Sequence, residues 1–546
     1  MTQLAAGRGG AADAPGPGTP PSRTAPPTHP PTGPTTGAVA RRWAWLCGAI
    51  AGLGGIAVAD LAAWFFAPAG SPIPAVGSRI IDLLPAALVN WGKETLGTAD
   101  KPFLLAVIFV AVLALCGLAG ALELRRPYAG GVIFGALALI GLLAVLTGAQ
   151  ASVAAIVPAI AGLGIGYLLL RALIERLRRW LPRRGIPDDE AALPARRTFL
   201  AWTVVTGVLS VIAAVAGRAL TTAANAVDDA RSKVRLPKPV SADPVPAGAE
   251  LGIADLATYI TPNEDFYRID TALQVPRLET TEWSLTITGM VEQEVTIDWA
   301  ALTAKPLVEH VATLTCVSNE VGGGLIGNAT WLGYPLRELL AQARPTNGAD
   351  MVLSTSEDGF TASTPLEALT DPDRMALLAI GMNGEPLPVE HGYPVRMVVP
   401  GLYGYVSATK WVRELKVTTF AKDHGYWTPL GWSAKGPIKT GSRIDVPRKR
   451  SVPAGQVVVA GVAWDQHTGI AKVEVGIDGA WHEADLAEVT GPDTWRQWMF
   501  RWDATPGSHQ VAVRATNADG ELQTDAPAPP APNGATGWHT VTIEVG

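Results

Sequence analysis

Cysteine is scarce: three residues in 546 exclude a disulfide-stapled scaffold. Charge is scarce as well. Asp, Glu, Lys and Arg make up 17% of the chain, against about 25% in an ordinary soluble protein. Apolar residues reach 48% and mean hydropathy is +0.21. With long polar stretches present, that average requires other stretches to be very apolar. No excess of positive charge exists either. The net charge of −6 argues against nucleic acid as a partner.

Length suggests three or four units at about 150 residues each. Residues 1–40 are rich in Pro, Gly, Thr and Ala and predict a disordered tail. No cleavable signal opens the chain. Five apolar runs follow, at 43–67, 102–122, 128–148, 152–170 and 199–217, each near the ~20 residues a helix needs to cross a bilayer. Only the first holds a charge, Asp60. An intramembrane carboxylate is either functional or protonated against a neighbouring helix. None of the eight histidines and no methionine lies in these runs, so haem cannot be ligated there by His or Met.

Cations orient the runs. Arg41, Arg42, Arg125 and Arg126 flank the first two. The loop after the fourth carries Arg171, Arg176, Arg178, Arg179, Arg183, Arg184, Arg196 and Arg197, whereas 149–151 has none. With the basic loops in the cytoplasm, an odd number of spans places everything after 217 outside. The fifth run opens Arg196-Arg197-Thr198-Phe199-Leu200. Those arginines are either anchors of the topology or a twin-arginine export signal, a route that carries folded proteins.

The expected organisation is a tail at 1–40, a five-span membrane domain at 41–217, a linker at 218–250, a mixed α+β domain at 251–443 and an all-β, immunoglobulin-like sandwich at 444–546. The last rests on about seven short strands separated by turn signals such as Asp478-Gly479, Pro506-Gly507 and Asp519-Gly520.

Cys47 and Cys116 lie in apolar runs and read as packing. Cys316 is the one cysteine beyond them. It follows Val311-Ala312-Thr313-Leu314-Thr315 and precedes a turn containing Gly322-Gly323-Gly324. A thiol at a strand end can be a buried inert group or a thiolate on a soft metal. No cysteine-protease signature surrounds it.

The segment Leu314-Thr315-Cys316-Val317-Ser318-Asn319-Glu320 is followed by Trp331-Leu332-Gly333-Tyr334-Pro335-Leu336. Met382-Asn383-Gly384-Glu385-Pro386-Leu387-Pro388 then leads to His391-Gly392-Tyr393-Pro394-Val395-Arg396. Val398-Val399-Pro400-Gly401 precedes Ser407-Ala408-Thr409-Lys410-Trp411. In this order the motifs resemble the sulfite oxidase family of molybdenum enzymes over roughly 260–445. The resemblance implies a molybdenum–molybdopterin cofactor with Cys316 as catalytic residue and metal ligand. It implies cofactor contacts from His391, Arg396 and the stretch Ser407, Thr409 and Lys410. Ser356 or Asp358 adds another, as do Tyr267 and Arg268. The following sandwich resembles that family's dimerisation domain, which implies a homodimer.

Departures from the family bear on substrate. Arginines expected in the sulfite pocket fall at Val321 and Asp270, and the expected tyrosine falls at Phe360. An anion pocket without its cations is disfavoured. The resemblance therefore implies oxygen-atom transfer with the substrate open: sulfite disfavoured, reduction of an S- or N-oxide the other outcome. The exported methionine sulfoxide reductase branch also lacks the sulfite pocket. Electrons then pass through a separate protein partner or a quinone. A membrane-anchored binding module with a decayed site is the alternative from another class.

Overall fold

The computed structural model describes residues 36–66, 71–85, 99–147, 156–181, 192–223, 226–273 and 275–546, with a few single positions between them. Residues 1–35, residues 149–151, Arg183 and Arg184 lie outside the described residues.

Apolar residues with few breakers form α1 (Thr36–Phe66), α2 (Pro72–Leu83), α3 (Asp100–Arg125), α4 (Ala129–Leu146), α5 (Ile156–Trp180), α6 (Ala192–Ala223) and α7 (Ala226–Lys233). Each of the five apolar runs falls on one long helix: α1, α3, α4, α5 or α6, and these are long and apolar enough to cross a membrane. The shortest, α4, has 18 residues and reaches about 27 Å at 1.5 Å per residue. α1 sits centrally against α3, α5 and α6. Small residues permit this. A Cβ on Gly48 would fall 2.0 Å from Cys116 O, and one on Gly120 would fall 2.0 Å from Ala44 O, so the two backbones touch. Val110, Leu139, Leu168 and Val208 face outward and are exposed, a surface suited to hydrocarbon. Asp60 accepts a 2.6 Å hydrogen bond from Ser71 Oγ. Glu123 is fully buried and accepts from the N–H groups of Tyr128 (3.0 Å) and Gly130 (2.9 Å) where α4 begins, satisfying donors that a helix start leaves unpaired.

The 218–250 stretch, expected as a linker, carries α7 and a short strand. Val227 of α7 is buried in the core that holds Phe266 and Trp331, and Arg231 donates to Pro386 O and Leu387 O. The strands that follow are β1 (Ser241–Ala242), β2 (Ser284–Gly289), β3 (Val295–Asp298), β4 (Val308–Thr315), β5 (Ile326–Pro335), β6 (Met351–Ser356), β7 (Thr361–Pro365), β8 (Leu377–Met382), β9 (Glu385–Pro386), β10 (Arg396–Val398) and β11 (Val412–Thr418). They form two sheets. One runs β1-β4-β5-β8-β10 with β9 beside β8, and the other runs β3-β2-β11-β6-β7. On β8, Leu378 and Ile380 face one core and Leu377 and Ala379 the other. This is the period-two alternation of a strand buried on both sides. The fold is thus a mixed α/β unit with two sheets.

From Gly441 the chain is all-β: β12 (Gly441–Val446), β13 (Ser451–Val452), β14 (Gly455–Trp464), β15 (Ile470–Ile477), β16 (Ala480–Glu483), β17 (Asp485–Leu486), β18 (Arg496–Ala504), β19 (Gly507–Asn517) and β20 (His539–Val545). The sheets β12-β14-β18-β17 and β13-β20-β19-β15-β16 enclose a core including Val459, Val473, Trp498 and Val513. This unit grips β4. Trp495 N–H donates to Thr313 Oγ1 at 2.8 Å, and Gln466 Nε2 donates to Thr315 Oγ1 at 2.8 Å. The strand that leads to Cys316 is therefore held from the side by the C-terminal unit.

Candidate active site

β4 ends at Thr315, and Cys316 continues it into a turn, donating its N–H to Leu325 O and accepting from Asn319 N–H at 3.0 Å. The thiol is buried, at 8% exposure. Gly404, at the start of α8 (Gly404–Ser407), comes close to it: a Cβ there would sit 3.8 Å from both Thr315 O and Tyr267 Oη. Burial raises the Tyr267 hydroxyl pKa, and the neighbouring Cys316 thiol raises it further. Burial likewise pushes Tyr403 up to about 12, with Cys316 contributing. Tyr267 and Tyr403 thus both lie close enough to Cys316 to feel its charge.

The second wall is the 391–396 loop. Gly392 has φ +112, and a Cβ on it would meet Arg396 Cβ at 3.0 Å and Lys410 Cβ at 3.2 Å. Only glycine takes that backbone and that approach without strain. Met397 N–H donates to Thr409 O at 2.9 Å, which sets Arg396 beside the 408–410 stretch. Arg396 is buried, donates to His391 O at 3.0 Å and Ala408 O at 3.4 Å, and has its guanidinium 5.1 Å from the Trp331 ring centroid. Among the described residues no carboxylate pairs with it. Burial pulls its pKa down to about 10. A buried cation with no anion is costly, so this site is built for an anionic group.

His391 is neutral: burial, then Arg396 and Lys410, lower its pKa to about 3. Nε2 lies 3.3 Å from Asn263 O. A carbonyl only accepts, so Nε2 carries the hydrogen and Nδ1 is an acceptor. Lys410 Nζ donates to Glu390 O at 2.9 Å and pairs with Asp270 at 3.1 Å. Burial lowers Lys410 to about 8 against the pull of Asp270. For Asp270, burial would raise the carboxyl, but Lys410, Lys101 and Arg268 outweigh it and hold it well below the usual range.

The turn after β6 completes the ring. Asp358 is raised by burial and lies near Asp270 and Lys410. The Ser356 hydroxyl is buried beside it, and its hydrogen bond to the carboxylate works against that rise. Ser407 and Thr409 line the same wall, but their hydroxyls are satisfied inside the fold. Ser407 Oγ donates to Tyr403 O at 3.0 Å, and Thr409 Oγ1 lies 2.7 Å from Ser354 Oγ. The residues expected from the sequence are therefore brought together: Tyr267, Arg268, Cys316, Ser356, Asp358, His391, Arg396, Ser407, Thr409 and Lys410.

Residues 272–427 match the oxidoreductase molybdopterin binding domain. The chain is 29% identical to mitochondrial sulfite oxidase of Homo sapiens over 351 residues, which cover 54% of this chain and 62% of that one. It is 28% identical to sulfite oxidase of Arabidopsis thaliana over 309 residues, 47% of this chain and 77% of that one. The part of the chain that carries the site is thus a molybdopterin-binding oxidoreductase domain similar to that of the sulfite oxidases. It spans about three fifths of the length of the animal sulfite oxidase it matches. The sulfane dehydrogenase SoxCD of Paracoccus pantotrophus is a structural neighbour, with 22% identity and a TM-score of 0.46 over 57% of this chain and 95% of that one.

The family implies a molybdopterin cofactor, and the residues present fit one. A buried guanidinium with no carboxylate partner among the described residues, a buried hydroxyl and a neutral imidazole acceptor belong to the same domain as the buried thiol. Together they offer charge for a phosphate, a donor for a heterocycle and a soft ligand for a metal.

Three features escaped the sequence. Asn263 and Phe266 support His391 from an irregular segment. Phe266 meets His391 edge-on, with ring centroids 5.5 Å apart. Lys101 reaches the Asp270 loop from α3. An aromatic set extends from Phe360 through Tyr426 (6.0 Å), Trp427 (5.1 Å) and Trp432 (6.1 Å). It meets Val317, the residue after Cys316. The run Tyr426-Trp427-Thr428-Pro429-Leu430-Gly431-Trp432 was the one available signal.

Proposed function

We propose that this protein is a membrane-anchored molybdopterin oxidoreductase, working outside the cytoplasm, that transfers an oxygen atom to or from an uncharged substrate. The observation that carries the reading is Arg396, a buried cation without a carboxylate partner among the described residues, one wall away from Cys316. Cys316 supplies the thiolate to the metal. Arg396, Lys410 and Arg268 hold the cofactor's phosphate end. His391 accepts through Nδ1, while Ser356 and Asp358 face the ring system. Tyr267 closes the side next to the thiol. Ser407 and Thr409 shape the wall and contribute through backbone groups. When bound, molybdopterin supplies two-electron oxygen-atom chemistry.

The aromatic set supports the choice of substrate. Phe360 stands where the resemblance expects the pocket tyrosine, Val321 and Asp270 stand where it expects arginines, and the set Phe360, Tyr426, Trp427 and Trp432 reaches Val317 beside Cys316. Aromatic faces favour neutral sulfur or nitrogen oxides. Reduction of a sulfoxide takes in two electrons and two protons and releases water. The electrons come from a separate redox protein or a quinol.

Location rests on the five apolar helices and the side on which the rest of the chain sits. Lys101 opens α3, the end of that span expected outside, and it touches the catalytic unit. Arg196 and Arg197 suit twin-arginine export of a unit loaded before crossing. The C-terminal sandwich is immunoglobulin-like and serves as a dimerisation surface.

Molybdenum content and turnover test the reading. Protein from a molybdopterin-producing host should hold about one molybdenum per chain and reduce aryl or alkyl sulfoxides or N-oxides faster than it oxidises sulfite. Cys316→Ser should lose turnover while remaining folded. A wild-type protein without molybdenum, or a Cys316→Ser variant with normal turnover, would sink it.

A further inference from the structure

The loop at 268–273 joins the two halves of the molecule. On its inner side, Asp270 Oδ2 is 3.0 Å from Arg268 Nε and 3.1 Å from Lys410 Nζ. On its outer side stands Lys101, in the first turn of α3. Its ammonium donates to Asp270 Oδ1 at 2.9 Å, Asp270 O at 2.6 Å and Ala272 O at 2.8 Å. An ammonium has three hydrogens, so all are spent on this one loop. A second contact lies alongside. Gly77 of α2 has no side chain where Leu273 packs, and a Cβ there would meet Leu273 Cδ1 at 3.0 Å.

One carboxylate thus serves three cations. Lys101 occupies one oxygen, so Arg268 and Lys410 share the other, and positive charge is left over on the cofactor side. Without Lys101 the carboxylate could turn both oxygens inward. It would then neutralise Arg268 and Lys410 more fully and weaken their hold on an anion.

We propose that Lys101 is a positioning residue for the cofactor pocket: by holding Asp270 from the membrane helix it sets where Arg268 and Lys410 stand. The helical bundle is on this account a wall of the pocket as well as an anchor. The inference rests on the proposed cofactor site.

The test uses full-length protein from a molybdopterin-producing host. It compares wild type with Lys101→Gln, Lys101→Arg, Asp270→Asn and the Lys101→Gln/Asp270→Asn double variant. Molybdenum per chain is measured by mass spectrometry. The rate of pterin release on dilution is followed by the fluorescence of its oxidation product. The melting temperature of cofactor-free protein is the control. Lys101→Gln should release pterin roughly tenfold faster, Lys101→Arg should stay near wild type, and the double variant should be no worse than Asp270→Asn alone. Melting of the cofactor-free protein should not change. Lys101→Met, which keeps the alkyl stem packed, is the second variant and is held to the same outcomes. Release at the wild-type rate overturns the proposal, as does a double variant in which the single effects multiply. A melting loss that accounts for the faster release would leave Lys101 a plain strut. Wild-type protein without pterin would instead bring down the function itself, a result distinct from these.

Discussion

Arg396 illustrates how one side chain can carry a functional reading. Its charge is buried against Trp331 and three carbonyls, with no carboxylate beside it among the described residues. Such a group destabilises the empty fold and is compensated only by a bound anion. Arg396→Met should therefore leave the melting temperature of cofactor-free protein unchanged or higher. The same variant should retain at least about tenfold less pterin, the scale of a lost charge-assisted hydrogen bond. Differential scanning calorimetry and pterin fluorescence check the two halves separately. Gly392 makes the converse case. Its φ of +112 and its approach to Arg396 Cβ make Gly392→Ala strained by about 1–3 kcal/mol. Chemical denaturation should show that loss, together with weaker cofactor retention.

Among the elements, β4 matters most because it aims Cys316. The C-terminal unit holds it through Thr313 and Thr315, and also through His310. That ring lies 2.5 Å from Asp243 Oδ2 and 2.9 Å from Asp493 Oδ2. His467 joins Asp493 at 3.4 Å and Asp371 at 3.6 Å. Burial would lower the His310 pKa, but the two carboxylates outweigh it and raise it to about 9 from 6.5. The sign follows. A raised histidine stabilises fully below about 6.5, and that contribution fades as pH rises through about 9. Asp243 and Asp493 are lowered from 3.8, so their share is present above about 3.8 and lost as pH falls through their folded values. Stability should be highest between these limits. His310→Ala should flatten the alkaline limb and cost about 3 kcal/mol, because two partly buried carboxylates lose their cation. Urea titrations from pH 5 to 10 measure both effects.

Taken whole, the molecule places its folded half at one end of the helical bundle, with the α3 start, α2 and the 268–273 loop in contact. The arginines of α5, Arg178 and Arg179, lie at the opposite end of their span from that contact in the expected topology. Protease added to intact spheroplasts should then digest residues 218–546 without lysis. Protection until lysis would reverse the sidedness.

Much of this was legible in the chain itself. Five runs of apolar residues became the five long helices, because length and hydropathy are local properties. The motif around Cys316 and the His391–Arg396 loop announced the cofactor family, because contiguous residues there build the walls. The helix and strand within the 218–250 stretch were not legible. Val227 and Arg231 are held by Phe266, Trp331 and Pro386, partners remote in sequence. The roles of Asp270 and Lys101 were hidden for the same reason. Composition and local order determined which helices form and which metal chemistry the chain is equipped for. Tertiary structure alone decided that a lysine from the bundle meets an aspartate of the pocket, since an ion pair between residues 169 positions apart exists only once both surfaces have been packed together.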